Sequence, residues 1–170
     1  TTSSAASDVY KRQHHDIPPQ EFLKYVHTID LSFMKEDKIM RDELINLDME
    51  KFIFTNGSAE HAENILSHLG VYDLFGRDKV FDIQDAGYVP KPEAKTFDLM
   101  LNKFKINPKE TIYIEDIAKN LGIGHERGCY TVWLINDEHF GKIDSNKDYI
   151  SHKIENLSLF LKEIRLLKNK

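Results

Sequence analysis

The chain has 170 residues, 41% of them hydrophobic, which is enough for one domain with a core of its own. Its formal net charge is -5. Lys and Arg gather only in the tail Lys162 to Lys170, which continues an amphipathic helix, so a nucleic-acid surface is not expected. The single cysteine, Cys129, rules out a disulfide framework and fits a reduced, cytoplasmic or nuclear setting, and no apolar run reaches the length of a membrane span.

In chain order, Ser3 to Gln13 reads SSAASDVYKRQ, which matches the in-frame translation of a sequencing-library adapter. Residues 1–13 are therefore expected to be a non-native leader that joins no core. Ile17-Pro18-Pro19 opens a short helix through about His27, and a turn follows at Asp30-Leu31-Ser32. Lys38 to Leu47 reads as a helix with Ile39, Met40, Leu44 and Ile45 apolar. Phe52-Ile53-Phe54 reads as a buried strand stopping at Thr55-Asn56-Gly57-Ser58. Ala62, Ile65, Leu66 and Leu69 lie at helical spacing, and Gly70 closes that helix.

Val80 to Ile83 is the next predicted strand, and Phe97, Met100, Leu101 and Phe104 mark a helix that ends before Pro108. Thr111 to Ile114 is a strand ending in Glu115-Asp116, followed by a helix from Ala118 to about Arg127. Thr131 to Ile135 is a strand, Tyr149-Ile150 a weaker one, and Leu157, Phe160, Leu161 and Ile164 mark a closing helix. Strands alternating with helices predict an α/β fold with a parallel sheet and helices on both faces. Ligands of such sheets bind beyond the carboxyl ends of the strands. That rule singles out Thr55-Asn56-Gly57, the segment after Ile83, and Glu115-Asp116.

A hydroxyl at a strand end before a Gly-containing turn suits an anionic oxygen, with Thr55 and the N–H groups of Asn56, Gly57 and the helix start as donors. The plainer alternative is a strand–turn–helix junction with a polar cap. Lys91 lies between Pro90 and Pro92 on a stiff backbone. There it would neutralise a phosphoryl group, or it is a surface lysine in a Pro-rich turn. Glu115 and Asp116 repel each other at the end of a buried strand, a conflict that a hard divalent cation such as Mg²⁺ resolves. Asn120, one turn on, could steady that loop or a ligand. The alternative is a solvated strand end whose Asp caps the next helix. His14, His15, His61, His68, His125, His139 and His152 form no zinc-spaced set.

Taken together, hydroxyl, lysine and acid pair, each after its own strand, resemble the haloacid dehalogenase superfamily of phosphatases. Thr55 resembles the second-motif Thr/Ser, Lys91 (with Pro92 and Phe97) the third-motif lysine, and Glu115-Asp116 the fourth-motif metal acids. Phe54-Thr55-Asn56-Gly57 with His61-Ala62 and Leu69-Gly70, and the run from Tyr25-Val26-His27 to Asp30-Leu31-Ser32, are most similar to the pyrimidine 5′-nucleotidase branch. The resemblance covers about His14 to Leu161.

It implies a Rossmann-like core, Mg²⁺, a small phosphorylated substrate (a pyrimidine 5′-mononucleotide) and an aspartyl-phosphate intermediate. It also implies a first motif, Asp-x-Asp-x-Thr/Val after an apolar strand, whose first Asp is the nucleophile. No such motif is present; Asp30-Leu31-Ser32-Phe33 lacks both the second Asp and the strand. The expectation is then a core over 34–170, residues 14–33 as the end of a helical cap, and a missing first strand that leaves a gap in mid-sheet. The chain by itself would be inactive. Three alternatives stand beside this reading: a non-catalytic phosphate- or partner-binding member of the same fold, an enzyme of another phosphatase or dehalogenase branch, and a receiver-like module. In the last, the acid pair would have to precede the lysine, and here it follows it.

Overall fold

The computed structural model describes residue 31 and residues 34–168. The predicted helix from Ile17 and the turn at Asp30 to Ser32 lie outside the described residues, apart from Leu31. The chain forms two compact units, one of Thr1–Pro90 with Ile164–Lys170 and one of Lys91–Glu163. The α/β class and the parallel pairing are as expected.

In the first unit, helix α1 (Lys38–Asn46) starts at Asp37, whose carboxylate accepts the Met40 N–H at 2.8 Å. Met40 and Leu44 turn inward, whereas Ile39 and Ile45 are 61% and 54% exposed, so half of the expected apolar face is solvated. Strand β1 (Ile53–Phe54) pairs in parallel with β2 (Val80–Phe81), in register Ile53 to Val80 and Phe54 to Phe81. Helix α2 (Ala59–His68) connects them, with Ser58 Oγ accepting the His61 N–H at its start. Ala59, Ala62 and Val80 form the core between these elements, with Ile53 packed against it. Gly70, at φ +73°, takes the left-handed turn that lets the chain leave α2. Two 3₁₀ turns, Tyr72–Leu74 and Arg77–Lys79, then carry buried Val71 and Phe75 inward. Periodicity did not reveal these turns, which are too short to show a face.

In the second unit, α3 (Ala94–Phe104) buries Phe97 and Met100 and ends at Lys105 in the left-handed conformation. Strands β3 (Ile112–Glu115), β4 (Tyr130–Leu134) and β5 (His152–Ile154) form a parallel sheet in the order β3-β4-β5. Between β3 and β4 run a 3₁₀ turn, Ala118–Asn120, and helix α4 (Leu121–Arg127). Phe97 meets Tyr113 edge to face at 5.3 Å, and Arg127 grips Asp98 with two nitrogens, tying α4 to α3. Cys129 is buried, and burial pushes its thiol up to about 11, so it is a neutral packing residue.

The strand expected at Tyr149-Ile150 forms instead at His152–Ile154. The Tyr149 carbonyl is spent on the Thr131 hydroxyl at 2.6 Å, and two of the three strand residues are exposed, which hides the strand from an apolar search. The closing helix α5 spans Leu157–Lys168. Among the described residues β1 is paired on one side only, by β2, and β3 on one side only, by β4.

Candidate active site

Thr55, Asn56 and Gly57 follow β1 in the first unit. The Thr55 hydroxyl accepts the Gly57 N–H at 2.9 Å, which closes the turn and leaves the hydroxyl its own proton to donate. The turn is zipped to the end of β2: Thr55 N–H donates to Phe81 O at 3.0 Å, and Ile83 N–H to Gly57 O at 3.1 Å. Asp82, 1% exposed, accepts the Ala59 N–H at 2.9 Å with one oxygen and the N–H groups of Gln84 and Asp85 with the other. At the first turn of α2 the Ala59 N–H is thus taken by Asp82 and the His61 N–H by Ser58. Of the donors expected there, the N–H groups of Thr55, Gly57, Ala59 and His61 are already bonded, and the Thr55 hydroxyl keeps a proton to donate. Asp82 was missed in the sequence, although a lone carboxylate inside the apolar run Val80 to Ile83 was a usable signal, because such a group stays buried only when paired.

Lys91, Glu115, Asp116 and Asn120 belong to the second unit, where the side chains of Lys91 and Asn120 both bond that of Glu115. The Lys91 ammonium donates to Glu115 Oε1, and the side chains are 11% and 4% exposed. The same oxygen accepts Asn120 Nδ2 at 3.1 Å and the Tyr113 hydroxyl at 3.3 Å. Oε2 accepts the N–H groups of Asp116 and Ile117 at 3.1 and 3.2 Å. Desolvation pushes the Glu115 carboxyl up, but the Lys91 charge and these hydrogen bonds outweigh it and hold it below its ordinary value. Burial, with the Glu115 charge, pushes the Tyr113 phenol well up, so Tyr113 stays a donor.

Asp116, one residue further, is exposed. Desolvation on its protein side, then the Glu115 charge, push its carboxyl up to about 6. The two adjacent acids therefore differ: Glu115 is a buried anion spent on five donors, and Asp116 is an outward carboxylate short of positive charge. Its backbone carbonyl is fixed by two side chains that the sequence does not mark as site residues, Trp133 Nε1 at 3.0 Å and Asn136 Nδ2 at 2.7 Å.

Mg²⁺ prefers hard oxygen ligands and keeps several waters, so an outward carboxylate is the right kind of donor for it. Asp116 fits that chemistry. Among the described residues no three His, Cys, Asp or Glu side chains converge to hold a metal.

Comparison with known proteins agrees with the α/β fold. Three solved structures share the fold. A HAD family hydrolase from Deinococcus radiodurans R1, solved with bound phosphate and sodium, is 20% identical with a TM-score of 0.63, over 94% of this chain and 72% of that one. A β-phosphoglucomutase from Clostridium difficile is 16% identical with a TM-score of 0.58, over 94% and 74%. The L-2-haloacid dehalogenase from Xanthobacter autotrophicus, with chloropropionic acid covalently bound, is 16% identical with a TM-score of 0.57, over 74% of this chain and 59% of its own. The family model for haloacid dehalogenase-like hydrolases matches residues 4–134, a range that takes in most of the stretch set apart above as a leader. Because that match spans both the Thr55 turn and the Lys91–Asp116 cluster, the chain belongs to the haloacid dehalogenase-like hydrolases.

Proposed function

We propose that this chain carries the phosphate- and metal-binding side of a Mg²⁺-dependent phosphomonoester hydrolase, nucleotidase-like, whose substrates are pyrimidine 5′-mononucleotides. The observation that carries this reading is the buried Lys91–Glu115 pair beside an exposed Asp116 whose carboxyl is pushed up to about 6. One strand end then offers a fixed ammonium for a phosphoryl oxygen and a carboxylate that a cation would relieve. The Deinococcus hydrolase, similar in fold, holds phosphate, which supports the ligand class.

Each residue has a role in this reading. Lys91, held in place by Glu115, neutralises charge on the transferring phosphoryl group. Thr55, with Asn56 and Gly57 in the turn of the first unit, resembles the family's second motif and is a candidate donor to a phosphate oxygen. Asp116 is the metal-facing carboxylate. Glu115, expected from the sequence as its fellow ligand, serves instead as the anchor of Lys91. Asn120 supports Glu115. When bound, Mg²⁺ would supply charge neutralisation at the phosphate oxygens.

Hydrolysis of this kind needs a carboxylate that attacks phosphorus and expels the alcohol, leaving an aspartyl-phosphate for water to cleave. The sequence contains no Asp-x-Asp-x-Thr/Val. We place that nucleophile on a strand outside these 170 residues. The test is phosphate release from 5′-UMP, 5′-CMP and 5′-AMP with and without Mg²⁺. The chain alone is expected to release none. The chain extended by an apolar strand bearing Asp-x-Asp-x-Thr/Val is expected to hydrolyse UMP and CMP in preference to AMP, with Mg²⁺. Turnover by the chain alone sinks the missing-nucleophile reading. Equal use of AMP sinks the pyrimidine assignment. Inactivity of the extended chain with retained phosphate binding favours the non-catalytic alternative.

A further inference from the structure

Strand β4 and the loop that follows it hold Asp116 and the segment just beyond it through Trp133, Asn136 and Gly141, none of them part of the motifs read from the sequence. Asn136 Nδ2 donates to the Asp116 carbonyl at 2.7 Å, and Trp133 Nε1 donates to the same oxygen at 3.0 Å. Asn136 Oδ1 accepts the Glu138 N–H at 3.0 Å, so both ends of this amide are used and its orientation is set. The loop then returns, and the Gly141 carbonyl accepts the Ala118 N–H at 3.0 Å, just beyond Asp116. The return is close: a Cβ at Gly141 would lie 2.3 Å from Asn136 Oδ1 and 2.6 Å from its Nδ2. Gly141 is buried and its backbone is not in the left-handed region, so an added methyl group would act through contact with Asn136 and not through backbone strain.

We propose that Asn136 is a positioning residue for Asp116: with the loop closed onto it at Gly141, it fixes the Asp116 peptide so that the carboxylate is presented outward to a divalent cation. The inference rests on the metal reading above. A carbonyl held by two donors cannot rotate away, and rotation of that peptide is what would swing the Asp116 side chain. The bracket from Asn136 to Gly141 thereby becomes part of the metal site without contributing a ligand.

The test uses Mn²⁺ alone as the probe, added to the intact chain and followed by the electron spin resonance of free Mn²⁺, with circular dichroism to confirm that each variant is folded. Asp116→Asn is expected to abolish uptake. Asn136→Ala is expected to weaken it about tenfold, as outer-shell partners do. Gly141→Ala is expected to weaken it as well, because it displaces Asn136. The double variant Asn136→Ala/Gly141→Ala is expected to be no weaker than Asn136→Ala, since the clash is gone; that non-additivity distinguishes positioning from two independent packing defects. Loss of uptake in Asp116→Asn with Asn136→Ala unchanged, or strict additivity in the double variant, overturns the positioning role and leaves the metal reading intact. If the parent takes up no Mn²⁺, or Asp116→Asn still binds it, the metal reading fails and this inference fails with it.

Discussion

Lys91 and Glu115 are a buried pair whose attraction must offset the loss of water around both charges. Removing one partner leaves the other uncompensated. Lys91→Met is expected to destabilise the fold by about 3 kcal/mol, and Lys91→Met/Glu115→Gln by clearly less, because the second change removes the stranded anion. Urea denaturation of the parent and both variants checks this; equal losses in the single and double variants would refute it. The Glu115 carboxyl sits below its ordinary 4.5 in the folded state, so its contribution is present at neutral pH and is lost as pH falls below about 4.5.

Asp116 behaves oppositely. Its carboxyl is at about 6 when folded against 3.8 ordinarily, so between those values the native state holds a proton that unfolding releases. Its contribution to stability therefore falls as pH rises through that window and stays low above about 6. Asp116→Asn is expected to raise the melting temperature at pH 7 and to lose that advantage near pH 4. Added Mg²⁺ should raise the melting temperature of the parent at pH 7 and not that of the variant. Melting curves across this pH range decide it, and a variant no more stable than the parent at pH 7 would overturn the assignment.

Helix α4 shows how two similar glycines differ by their neighbours. A Cβ at Gly124 would lie 2.5 Å from Tyr113 Cδ1, whereas one at Gly122 would meet the Tyr149 ring at an ordinary 3.5 Å. Gly124→Ala must push aside a buried ring and is expected to cost about 2 kcal/mol. Gly122→Ala relieves a helix-interior glycine and is expected to gain about 0.5 kcal/mol. Opposite signs in a thermal melt are the expected result; like signs would refute the contact picture. Residue spacing does not separate the two glycines, because it does not show what faces a missing side chain.

The same limit explains what was legible and what was not. Strands β1, β3 and β4 and helices α2, α3 and α5 announced themselves by apolar periodicity. Strand β5 did not, because His152 and Lys153 are exposed. Thr55, Lys91 and the acid pair could be picked out because each follows a strand. The division of labour between Glu115 and Asp116 was invisible, because two adjacent carboxylates look alike in sequence. What separates them is the strand's alternation: Glu115 is the last, buried residue of β3, and Asp116 lies beyond it, exposed. Asn136 and Trp133 escaped notice because their role depends on a backbone carbonyl, which no side-chain pattern records.

At the scale of the whole chain, the first unit is closed by residues far apart in sequence. Its members 164–170 come from the end of α5, more than seventy residues after Pro90. Arg165 reaches back to Glu43 on α1 with two nitrogens, Nε to Oε2 at 2.6 Å and Nη2 to Oε1 at 3.1 Å, a separation of 122 residues. Lys168 likewise donates to the Asp48 carbonyl. Glu43 is 8% exposed, which is unusual for a carboxylate without close pairing. The last helix is therefore expected to stabilise α1 rather than trail from the fold.

Deleting residues 164–170, or changing Arg165→Ala, is expected to lower the melting temperature by a few degrees and to speed hydrogen exchange at the amides of α1. The amides of β3 and β4, in the other unit, should be much less affected in their local openings. Arg165→Lys should recover only part of the loss, since a lone ammonium cannot reproduce a two-nitrogen grip on a carboxylate. If exchange at α1 is unchanged in Arg165→Ala, the long-range pair is not what holds that helix. If exchange rises equally in both units, the chain unfolds as one cooperative body and its division into two compact units has no energetic counterpart.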